Sequence, residues 1–121
     1  RHDLFMCIVD WFRCIDESLF EEVGDHAGEM ETSLMLHIKP EWVLPLDKAG
    51  EGRARKFKIE GLREGWAWTQ RDWIQATEDT GVGNPKAASV EKGRVCLERL
   101  AARIGGFLTE LAAADTDDLY E

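Results

Sequence analysis

His26 is the residue of this sequence with the widest chemical scope. It lies in Val23–Gly24–Asp25–His26–Ala27–Gly28–Glu29–Met30–Glu31–Thr32–Ser33, a run that mixes one imidazole with carboxylates and glycines. A histidine on a glycine-flanked turn, with Asp25 beside it and Glu31 five positions on, can take or give a proton near neutral pH. A carboxylate so placed can also ligate a metal ion. The same spacing suits a plainer arrangement. In it Asp25 caps a helix, His26 packs on the first turn and Glu31 is solvated. With no His-x-x-x-His or comparable pair in the sequence, spacing alone favours the plainer arrangement.

The other candidates are weaker. Trp11 follows the apolar run Leu4–Phe5–Met6–Cys7–Ile8–Val9, closed by Asp10. That run predicts a strand buried on both faces of a parallel sheet. Trp11 then stands at the carboxyl end of a strand, where open α/β sheets bind ligands, and a pocket role and a packing role are equally open to it. Trp66, Trp68 and Trp73 could stack on a planar ligand, but packing beneath a long loop is the favoured reading. His37 reads as a packed or surface residue, and His2 as terminal and disordered. Gly81–Val82–Gly83–Asn84–Pro85 lacks the glycine order of a dinucleotide loop and the Lys-Ser/Thr pair of a P-loop, so it reads as a turn before a helix. No Ser or Cys sits in a nucleophile-elbow pattern.

The elements that must position these residues follow from periodicity. Met30, Leu34 and Ile38 recur at spacing four and predict a helix over residues 27–39, stopped by Pro40. Asp25 or His26 then stands near its cap, where the helix dipole favours negative charge. Residues 16–22 read as an acidic helical turn or a surface loop. Residues 43–46 and 56–60 read as short strands, the first confined to an edge by Pro45. Residues 61–79 read as a packed irregular segment with one helical turn at 72–76. Ser89 opens a long helix to about Ala114, with Leu97, Leu100, Ile104, Phe107, Leu108 and Leu111 as its apolar stripe. The acidic tail from Asp115 is expected to fray.

The totals bound the reading. A length of 121 residues suits one domain. A net charge of −9 argues against a nucleic-acid backbone or an anionic membrane as partner. No apolar run is long enough for a transmembrane helix. Cys7, Cys14 and Cys96 are odd in number and scattered, which fits a reducing cytoplasm, with Cys7 expected to be buried. The chain opens on Arg1–His2–Asp3, with neither a signal pattern nor an initiator Met, and is expected to be a fragment or a processed product. One clear strand and two weak ones are too few for a stable sheet. The chain therefore reads as half of a larger α/β unit, or as one that pairs with another chain.

Residues 25–36, Asp-His-Ala-Gly-Glu-Met-Glu-Thr-Ser-Leu-Met-Leu, followed by Pro40–Glu41–Trp42–Val43, closely resemble a segment of the creatininase (creatinine amidohydrolase) family. The His-x-Gly-x-x-Glu-Thr-Ser core is the distinctive part. Residues 80–93, from Thr80–Gly81–Val82–Gly83 to Glu91–Lys92–Gly93, resemble the family's segment before its last helix. On this resemblance residues 1–121 are the carboxyl-terminal half of a creatininase-like domain. The implied fold is α/β, part of an α/β/α sandwich with a mainly parallel sheet. The implied activity is metal-dependent hydrolysis of an amide or cyclic-amide C–N bond in a small-molecule substrate. Two divalent ions, Zn²⁺ or Mn²⁺, and a homo-oligomer, often a hexamer, come with it.

His26 matches the family's catalytic histidine. Asp25 stands where creatininase has a glutamate and is its implied catalytic partner. Glu31 matches the Glu of Glu-Thr-Ser, implied as a metal ligand or a residue that orients one. Trp11 matches a substrate-binding tryptophan at a strand end. Where creatininase has a flap tryptophan this sequence has Phe20–Glu21–Glu22, which argues against creatinine itself as substrate. The family's Glu-x-His pair, bridging Asp and Asn-Gly-His segment do not occur here. Most metal ligands are therefore expected outside this chain. Alone it is expected to be inactive, and an amino-terminal half, linked or separate, would complete it. The alternative is a non-catalytic half-domain that serves as an assembly or interaction module.

Overall fold

The computed structural model describes residues 4–121. Its α-helices are α1 (Glu29–Ile38), α2 (Glu60–Glu64), α3 (Trp73–Ala76) and α4 (Val90–Ala113). Two of them carry the fold. Ser89 starts α4, as its sequence position predicts, because its hydroxyl accepts the Lys92 N–H at 3.2 Å. α1 ends at Lys39, which the Pro40 that follows keeps out of helical backbone, at φ −149°. These two helices bury a small core of Met30 and Leu34 from α1, Cys96 and Leu100 from α4, and Ile15. Leu19, Phe20, Val23, Leu97 and Ile104 pack around it.

The seam between α1 and α4 is tight. A Cβ placed on Gly93 would lie 1.9 Å from the Ser33 carbonyl oxygen, so the helices meet backbone to backbone there. The Ser33 hydroxyl donates to the Glu29 carbonyl at 2.7 Å and accepts the Ser89 N–H at 3.2 Å. One fully buried hydroxyl thus joins the start of α1 to the cap of α4.

The expected sheet is absent among the described residues. Their one isolated β-bridge is antiparallel, between His26 and Val82. Residues 4–9 are not a ladder strand: Met6 and Ile8 are 81% and 90% exposed, and Cys7 is exposed rather than buried. A strand is stable only when a neighbour accepts and donates along it, and no described segment pairs with this one. Residues 43–46 and 56–60 are likewise unpaired. The first region lies between single 3₁₀ turns at Pro40–Trp42 and Leu46–Lys48. The second leads into α2, a short helix that the sequence reading did not foresee.

Trp66 and Trp68 are 76% and 87% exposed, so they do not pack beneath the loop as expected, whereas Trp73 is half-buried. The helical turn foreseen at 72–76 is α3, capped by Asp72, whose carboxylate accepts the Gln75 N–H at 3.2 Å. The apolar stripe of α4 is covered only along its first half, and Leu108 is exposed. Cys7, Cys14 and Cys96 are free thiols. No described helix is long and apolar enough to cross a membrane. His2 lies outside the described residues.

Candidate functional site

The turn that carries His26 is clamped to the segment before α4. The Asp25 and His26 N–H groups both donate to the Val82 carbonyl, at 2.7 and 3.0 Å, and the Val82 N–H returns a bond to the His26 carbonyl at 2.8 Å. This close approach requires glycine. A Cβ on Gly83 would meet the Cα atoms of Gly28 and Gly24 at 2.8 and 3.0 Å, and Gly83 itself has φ +152°. The Gly81–Pro85 cluster is thus a turn, and its work is to pin His26. Ala27 is held in the left-handed region at φ +53°, a conformation that non-glycine residues adopt only when their surroundings enforce it.

Glu31 is part of what enforces it. Its Oε2 accepts the Ala27 N–H at 2.5 Å. Gly28 is the N-cap of α1 and has no side chain to offer, so Glu31 reaches back to satisfy the turn. Neither Asp25 nor His26 caps the helix. His26 stands half-exposed, with its Nδ1 3.9 Å from Glu31 Oε2 and its ring centroid 4.8 Å from that of Trp73. Asp25 forms an ion pair with Arg71, and the Arg71 guanidinium lies over the Trp73 ring at 4.7 Å.

A cleft of about 760 Å³ opens beside this turn. Ala27, Glu31 and Thr32 line it on one side, and Trp11, Met35 and Trp42 are among its apolar walls. Trp11 and Glu31, far apart in sequence, therefore share one cavity. His26 and Asp25 are not among its lining residues, but the adjacent Ala27 is.

Glu29, Lys92, Arg71 and Trp73 are the residues that sequence reasoning missed or misjudged. Glu29 is fully buried, yet its carboxylate is completely engaged. One oxygen accepts the Glu21 and Glu22 N–H groups at 2.8 and 2.9 Å, and the other accepts the Lys92 ammonium. Burial alone would raise its pKa. The Lys92 hydrogen bond, the two backbone N–H groups and the Lys92 charge together outweigh burial and hold it below the ordinary glutamate range. Lys92 is raised in turn, chiefly by its bond to Glu29. The local signal for Glu29 was its i,i+4 relation to Ser33 on a face opposed by Gly93. Arg71 had no local signal. Cys96 is no nucleophile, because burial, reinforced by the Asp16 charge, pushes its thiol up.

No group of three His, Cys, Asp or Glu side chains stands close enough to hold an ion among the described residues. Glu31 and Asp79 are the carboxylates that line the cleft, and a catalytic zinc site takes about three protein ligands. The described residues alone do not fit a whole site.

Residues 2–108 match the family model described as creatininase, creatinine amidohydrolase. The chain is also similar to a crystal structure from Bacteroides fragilis NCTC 9343, described as that of a candidate creatinine amidohydrolase, with 40% sequence identity and a TM-score of 0.82. That match covers 98% of this chain and 46% of the other, so the chain spans about half the length of the protein it resembles. No curated protein matches it.

Proposed function

The chain belongs to the creatininase family, and from that premise we propose that it is the carboxyl-terminal half of a metal-dependent amidohydrolase acting on an amide or cyclic-amide C–N bond. The observation that carries this reading is the placement of His26. It is presented half-exposed on a turn fixed by three backbone hydrogen bonds to Val82, 3.9 Å from a carboxylate that lines the cleft.

A divalent ion, Zn²⁺ or Mn²⁺, would supply Lewis-acid activation of the carbonyl and of water. Glu31 would help to hold such an ion through the oxygen not bonded to Ala27, and the remaining ligands would come from outside this chain. His26 delivers a proton to the departing nitrogen. Asp25 tunes His26 from the adjacent position. Trp11 binds the small-molecule substrate against the apolar wall of the cleft. In the assembled protein, residues 4–9 complete their backbone hydrogen bonds as a strand in the mainly parallel sheet of an α/β/α sandwich.

The test is His26→Ala in the protein assembled with its amino-terminal half. Turnover of small cyclic amides should fall by about 10²–10⁴-fold while metal content stays at the wild-type value. Turnover at the wild-type rate would contradict the assignment. A second reading, an assembly module without catalysis, draws on the exposed Leu4, Met6 and Ile8, which suit a covering partner. It prevails if the assembled wild-type protein binds no divalent metal.

A further inference from the structure

We propose that Arg71 and Trp73 are positioning residues for the His26 imidazole, an inference that rests on the reading of His26 as the proton-transfer group. The four residues close a circuit. Asp25 and His26 are joined by a peptide bond, Asp25 pairs with Arg71, Arg71 lies over Trp73, and the Trp73 ring contacts His26 at 4.8 Å. Each link fixes the next, so the ring of His26 is set by a residue 47 positions further along only because Arg71 and Asp25 bring it there.

The circuit is anchored from behind. Asp72 caps α3 through the Gln75 N–H, and the Thr77 hydroxyl donates to the Trp73 carbonyl at 2.8 Å, so the tryptophan stands on a fixed backbone. His26 needs such a support. The charged side chain facing its ring nitrogen, Glu31, lies 3.9 Å away, beyond hydrogen-bond reach, and cannot by itself set the ring's orientation. A planar guanidinium suits the linking role, because it can pair with a carboxylate at its edge while its face rests on an aromatic ring. Asp25 therefore acts on His26 through Arg71 and Trp73 rather than by touching the imidazole.

The experiment is histidine-selective NMR of the full chain at one fixed pH, which reads the ring protons of His26 against those of His37. Trp73→Leu should move the His26 signals toward those of a solvent-exposed histidine and leave His37 in place, and Trp73→Phe should restore most of the wild-type shift. Arg71→Met should move the same signals, although Arg71 does not touch the His26 ring. Unmoved His26 signals in Trp73→Leu, or in Arg71→Met while Trp73→Leu moves them, overturn the proposal. The unchanged His37 signals and the Trp73→Phe variant separate positioning from loss of the fold. Because the readout is not turnover, the proposal can fail while the hydrolase reading stands, and the reverse.

Discussion

Glu29 shows how a single buried carboxylate can organise a site it does not join. Its charge is fully desolvated, which is costly unless every lone pair finds a partner. Glu21, Glu22 and Lys92 supply those partners, so Glu29 ties the loop before His26 to the first turn of α4. Its folded-state pKa lies below the unfolded one. Its contribution to stability is therefore complete above the ordinary glutamate pKa of about 4.3, and is lost as pH falls through the lower folded value. Thermal unfolding followed by circular dichroism should give a midpoint that drops as the solution is acidified below about pH 4. Glu29→Gln, which removes the charge and leaves one acceptor, should cost about 1–3 kcal/mol and flatten that acid limb. An acid limb as steep as wild type in Glu29→Gln would assign it to another carboxylate.

At the scale of the elements, the seam between α1 and α4 decides a contest between propensity and packing. Alanine is better than glycine inside a helix by about 1 kcal/mol. At Gly93 a Cβ would sit 1.9 Å from the Ser33 carbonyl oxygen, and a backbone atom cannot step aside. Gly93→Ala should therefore destabilise the fold by about 1–3 kcal/mol or more, with packing overriding propensity. Gly105 and Gly106 have open space around them, so Gly105→Ala and Gly106→Ala should each stabilise by up to about 1 kcal/mol. Chemical denaturation of these variants checks both signs, and a stabilised Gly93→Ala would refute the tight seam.

The same elements show what a single sequence carries. Ser89, Pro40 and the spacing of Met30 and Leu34 are local signals, and both long helices fall close to their expected bounds. The expected strands depend on neighbours that the sequence window does not contain, so residues 4–9, 43–46 and 56–60 stand unpaired. α2 spans only Glu60–Glu64, too short for a periodic pattern to announce it. The His26 turn was legible because its glycines and carboxylates lie within a few residues of each other. The Arg71–Asp25 pair was not, because it joins residues 46 positions apart. Trp11 and Glu31 were each singled out, but only the folded chain places them on one cleft.

Taken as a whole molecule, the chain exposes more apolar surface than its small core can use. Leu4, Met6 and Ile8 project from one end, and Leu108 is left open on α4. Contiguous surface of this kind marks an interface. The sheet of the assembled protein would cover residues 4–9, and the proposed homo-oligomer would cover the open part of α4, against the mutual repulsion of chains that each carry a charge of −9. Sedimentation velocity should show association that strengthens as salt is raised to about 0.1 M, where charges beyond about 10 Å are screened. Leu108→Lys should weaken it. A monomer at every salt concentration would remove the oligomer from this account.

If His26 gives its proton to the departing nitrogen, the rate must depend on the leaving group through His26. In the assembled protein, kcat/KM would be compared between wild type and His26→Ala over a series of amides whose leaving amines grow steadily less basic. A departing group that needs no proton has no use for the histidine. The loss should be large for the most basic amines and shrink toward none for the least basic. An equal loss across the whole series would contradict this role of His26.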